Sequence, residues 1–123
     1  MKILGVLLCF VLVSSCYEST RDCKNFKTGK FKSEVTIKGK TYTSTFSRTN
    51  TLQVETYNGK IDSTKVRWIN DCEIIYTTIN PKNRLEKKDI HLKILTTNKD
   101  YYTFEYSYVG ETNKQQGTAI KID

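Results

Sequence analysis

Two carboxylates, Asp71 and Glu73, flank one cysteine, and a single histidine lies further on at His91. These are the residue types that general acid–base chemistry uses. Such chemistry needs the groups held within hydrogen-bond reach and tuned in pKa, and neither is indicated by the residues around them. No elbow-type motif accompanies any serine that His91 could activate. The glycine patterns of nucleotide-binding loops are also missing. The expectation is therefore a protein that is not an enzyme, with no cofactor and no metal.

Cysteines are the second source of chemistry. Four are present, at positions 9, 16, 23 and 72. The first lies in the apolar run Ile3 to Val13, which follows a single cation at Lys2. As a helix this run rises about 16 Å, whereas a hydrocarbon core of about 30 Å needs roughly 20 residues. It is too short to span and has the proportions of a secretory signal. In an oxidising compartment Cys23 and Cys72 are expected to pair. A metal site built on two cysteines would need further ligands, and His91 is the sole histidine.

A third group is aromatic. Tyr102, Phe104, Tyr106 and Tyr108 alternate along one stretch and share one face. Three phenol hydroxyls on an apolar face each want a partner. Three uses fit: ordinary core, the wall of an amphipathic ligand cavity, or a stacking platform for bases. Trp68, the sole tryptophan, stands near Cys72 across an Asn70-Asp71 turn. It is expected to pack beside a disulfide or to join the tyrosines as a candidate ligand-lining residue.

The elements that must position these groups are strands. The chain after residue 22 is rich in Thr, Ile, Val, Tyr and Phe with period-two alternation. Phe31, Val35 and Ile37 share a face, as do Tyr42 and Phe46, then Leu52, Val54 and Thr56, then Ile90, Leu92 and Ile94. Gly39-Lys40 and Asn58-Gly59 are turn signals, the second a strong hairpin signal. Residues 80–88 form the main irregular connection, with one helical turn expected over Arg84 to Lys88. About eight short strands joined by short turns predict an all-β antiparallel meander. It would be a lipocalin-like barrel or a strongly curved sheet, either of which limits exposed edges; a β-sandwich is the alternative.

Net charge is +7, but the lysines and arginines are scattered rather than clustered. A solvated surface beside an acidic membrane, or an anionic envelope component, fits this charge better than nucleic acid does. No Gly/Pro/Ser linker divides the chain, so the expected organisation is a signal at 1–15, a tether at 16–22 and one domain at 23–123.

The tetrad Val13-Ser14-Ser15-Cys16 resembles the lipobox of bacterial lipoproteins. That resemblance implies cleavage before Cys16, acylation of its thiol and amino group, and attachment to a membrane. With Tyr17 rather than Asp after the cysteine, it implies an outer-membrane lipoprotein facing the periplasm. Several acyl chains give a stable anchor where one is marginal. The segments "RDCKNFKTGKF", "VRWINDCE", "NPKN" and "YTFEYSYVG" are similar to short lipoproteins of Bacteroidota. That group implies an envelope binding or structural module, with a carrier of a small apolar ligand as the alternative. Some similar chains carry the name DNA topoisomerase IV, but one small exported domain lacks the DNA gate and ATPase partner that role requires. Oligomeric state is left open.

Overall fold

A computed structural model describes residues 21–123. The signal at 1–15, Cys16 with its expected lipid, and most of the tether lie outside the described residues. Eight strands follow a short 3-10 turn at Cys23–Phe26: β1 Gly29–Ile37, β2 Lys40–Arg48, β3 Leu52–Tyr57, β4 Lys60–Asn70, β5 Glu73–Thr78, β6 Ile90–Thr97, β7 Tyr101–Tyr108 and β8 Gln115–Lys121. Each pairs antiparallel with its neighbour in sequence, and β8 pairs with β1 to close the barrel. Closure leaves every strand with two partners, so among the described residues no edge remains to recruit another chain. The closed barrel, not a sandwich, is the architecture.

Local chemistry explains the turns. Asn58 and Gly59 take φ 47° and 76°, and Lys38 and Gly39 take 51° and 78°. Two successive positive φ values make the type I′ hairpin whose twist matches that of the flanking strands. Register shifts at Trp68/Asn70 and Ile94/Thr96 mark irregularities where strands bend around the barrel. The connection at 80–88 holds a hydrogen-bonded turn, with Lys88 N–H donating to the Leu85 carbonyl, and not the helical turn expected over 84–88.

The two ends of the barrel differ. At one end the 3-10 turn folds across the opening and buries Phe26 and Cys23 completely against Phe31, Ile74, Ile94, Tyr102 and Ala119. Cys23 is bonded there to Cys72 in the β4–β5 turn, with Cα atoms 5.2 Å apart. The expected disulfide is present and ties the lid to the wall. Trp68 and Cys72 both pack against this cluster. The tether expected at 16–22 shares its last two residues with the fold: Arg21 Nη1 donates to the Ile94 carbonyl (2.9 Å) and Asp22 N–H to Thr97 Oγ1 (2.8 Å). At the other end lie hairpin turns and the 80–88 connection, and no helix covers it among the described residues.

One strand presents the face opposite to the one its apolar residues suggest. Leu52, Val54 and Thr56 do share a face, but it is the outer one. Gln53, Glu55 and Tyr57 point inward, and Gln53 is buried. The register decides this. Glu55 pairs with Asp62 and Gln53 with Thr64, on the same parity as buried Val66.

Candidate functional site

The inward residues of the open half enclose a cavity of about 430 Å³. Drug-sized ligand sites run about 300–1,000 Å³, largely apolar with a few placed polar groups. Phe46, Leu92, Ile90, Val35 and Phe104 supply apolar wall; Ser33, Ser44 and Thr64 supply hydroxyls; Tyr42, Tyr57 and Tyr106 line it toward the open end. Gly117 of β8 leaves room for Phe104. A Cβ there would lie 2.7 Å from the ring and 2.8 Å from the Glu34 carbonyl.

The floor is polar and internally hydrogen-bonded. Tyr76, Tyr102 and Gln53 line the cavity from below, and Arg48 lies beneath them, 2% exposed. Arg48 Nη1 donates to the Tyr76 hydroxyl (3.0 Å), the Tyr102 hydroxyl (3.2 Å) and Gln53 Oε1 (3.3 Å). Its Nε donates to the Lys27 carbonyl and Nη2 to the Phe26 carbonyl. Tyr76 in turn donates to Gln53 Oε1 (2.8 Å). Burial pushes the Tyr76 phenol well above its usual range and raises that of Tyr102, so both stay neutral. The guanidinium is thus surrounded by neutral acceptors and ring faces, with Phe31, Phe46, Trp68 and Tyr102 centroids 5.1 to 5.8 Å away. A buried charge needs such saturation to avoid a large desolvation cost.

Two carboxylates stand in the wall above. Glu55 and Asp62 face each other across the β3–β4 ladder, and both line the cavity. Burial raises the Glu55 carboxyl, a hydrogen bond from Ser44 opposes that, and the charge of Asp62 adds to the rise. The Tyr106 phenol is raised by burial first and then by the charge of Glu55. Neither carboxylate forms an ion pair among the described residues.

Of the aromatic residues expected to line a ligand site, Tyr102, Phe104 and Tyr106 do, with successive centroids 5.8 and 6.0 Å apart. Tyr102 contributes as floor, its hydroxyl taken by Arg48. Tyr108 and Trp68 do not line the cavity. Tyr108 ends β7, where Lys88 Nζ sits 5.5 Å from its ring. Trp68 lies at the closed end between two cations, Lys27 Nζ at 5.2 Å and Arg48 Cζ at 5.4 Å from the ring centroid. Its indole N–H is buried without a hydrogen-bond partner among the described residues.

The acid–base candidates go separate ways. Asp71 pairs with Lys27 (2.9 Å) and Lys24 (3.8 Å). Glu73 accepts from Asn70 and meets His91 Nε2 at 2.9 Å. The bond from Asn70, aided by His91, holds the Glu73 carboxyl below its usual range. These groups sit on the outer wall, away from the cavity. Among the described residues no three His, Cys, Asp or Glu stand close enough to hold a metal ion.

Arg48, Gln53, Glu55 and Asp62 were not singled out by motif or spacing. Parity was the available signal: Arg48 stands two residues after Phe46, and Asp62 four before Val66. Comparison with protein-family models, curated proteins and solved structures finds no match to the chain.

Proposed function

We propose that this protein is a non-enzymatic, lipocalin-like carrier that holds a small, partly apolar ligand in its barrel. The supporting observation is the cavity of about 430 Å³, apolar in the main and open at one end, above a floor in which Arg48, Tyr76, Tyr102 and Gln53 are hydrogen-bonded to one another. A site meant only as core would be filled, because interiors pack to near-crystalline density.

The lipobox-like tetrad supports attachment of Cys16 to a membrane in the cell envelope. Arg21 and Asp22 bond to Ile94 and Thr97 at the closed end. The first described residues therefore lie at the end opposite the mouth. Labelling of cells with a palmitate analogue is expected to tag the wild type and not Cys16→Ala; an untagged wild type overturns the anchor.

The carrier reading is tested with a neutral naphthylamine dye whose emission rises on leaving water. The purified protein is expected to bind one dye per chain. Thr64→Phe, which fills the cavity from its wall, is expected to abolish the signal while the melting transition persists. An equal signal from both proteins overturns the reading.

A further inference from the structure

Every described residue that lines this cavity is neutral or acidic. Glu55 and Asp62 both line it, one rung of the β3–β4 ladder brings them together, and among the described residues its lining contains no lysine, arginine or histidine. The whole chain carries +7, so the cavity is opposite in sign to the surface around it. Arg48, the cation beneath the floor, offers nothing to a ligand. Its Nε, Nη1 and Nη2 all donate to protein acceptors, and Tyr76, Tyr102 and Gln53 stand between it and the cavity.

The carboxylates do not stand alone. Tyr57 follows Glu55 by two residues on the same inward face, and its ring lies 6.4 Å from that of Tyr42. Tyr106 is close enough to Glu55 for the carboxylate charge to act on its phenol. Ring faces attract cations through their quadrupole, most of all where water is excluded. Tyrosine rings beside a carboxylate without an ion-pair partner, opening onto apolar wall, suit a positive charge carried on an organic body. An anion would meet two like charges and, among the described residues, no cation in the lining, and a neutral apolar molecule would leave half-buried Glu55 desolvated and unpaired.

Resting on the carrier reading, we infer that the ligand is an organic ammonium ion. Its charged head lies between Glu55 and Asp62 against Tyr57 and Tyr106, and its apolar body lies along Phe46, Leu92 and Phe104. Tyr42 contributes one ring face only, since Lys40 Nζ sits 5.1 Å from its centroid.

Three probes with one tail test this by calorimetry on the purified protein: octyltrimethylammonium, 1-octanol and octyl sulfate. The ammonium compound is expected to bind about tenfold or more tightly than the alcohol, and the sulfate most weakly. Glu55→Gln and Asp62→Asn are each expected to remove most of the ammonium preference, weakening octyltrimethylammonium while octanol binds as well or better once the unpaired charge is gone. Equal affinity for the three probes, or a preference untouched by both substitutions, overturns the ammonium assignment while the carrier reading stands. Binding of none of the three overturns the carrier reading itself.

Discussion

Arg48 and Tyr102, 54 residues apart in sequence, meet through a 3.2 Å hydrogen bond that divides the barrel into a sealed half and an open half. Below this bond lie the 3-10 turn, the disulfide and the packed rings; above it lies the cavity. One guanidinium satisfies the lid carbonyls of Phe26 and Lys27 and, from another nitrogen, the floor hydroxyls. It couples closure of one end to the shape of the other.

Arg48→Met is expected to destabilise the fold by about 2–5 kcal/mol, because the lid carbonyls and the Tyr102 hydroxyl lose their donor while buried. Arg48→Lys is expected to recover only part of this, since an ammonium cannot fork toward lid and floor together. Urea unfolding measures both. Equal stability of wild type and Arg48→Met would show that the network contributes nothing net.

Cys23 and Cys72 are separated by 49 residues, and opening their bridge releases a loop worth about 4 kcal/mol in the chain-entropy account. The double Cys→Ser variant, or wild type under reductant, is expected to unfold at a clearly lower temperature by calorimetry. An unchanged melting temperature on reduction would remove the bridge from the account of stability.

Glu55 carries a carboxyl raised chiefly by burial. A raised acid binds its proton more tightly folded than unfolded. Its effect is absent below the ordinary carboxylate range and becomes destabilising as pH climbs through the folded value. Glu55→Gln is therefore expected to be more stable than wild type at neutral pH and no different below about pH 4. Melting curves across that range check the sign; a variant less stable at neutral pH contradicts it.

Gly117→Ala is expected to cost about 1–3 kcal/mol. The added methyl would meet Phe104, Val35 and the Glu34 backbone at the β1–β8 seam, and backbone cannot yield cheaply. Phe104 would be pushed into the cavity, so dye binding is expected to fall as well. Unaltered stability and dye affinity together would show that the seam has slack.

Much of the architecture was legible in the chain. Strict alternation such as Phe31, Val35, Ile37 and Tyr42, Phe46 marks strands with one buried face, and Asn58-Gly59 marks a hairpin. The row Tyr102, Phe104, Tyr106 reads as one inward face, and the cavity contains all three. The row's end and Trp68 were misleading as lining residues, because parity states a direction and not a depth. Tyr108 runs out to the rim beside Lys88, and Trp68 falls below the floor.

The acidic wall was hidden for a different reason. In β3 both faces are plausible, and the shared face of Leu52, Val54 and Thr56 does not by itself say which is interior. Only the register with β4, set by the two-residue turn and carried from buried Val66 through Asp62 to Glu55, turns the polar face inward.

By itself the sequence determined strands, turns and the cysteine pair expected to be bridged, because these depend on period-two patterning and local backbone preference. Tertiary structure alone decided that the sheet closes, that Arg48 seals one end, and that two carboxylates share a cavity. Those outcomes depend on which strands meet around the full circuit, and no local stretch of the chain contains that information.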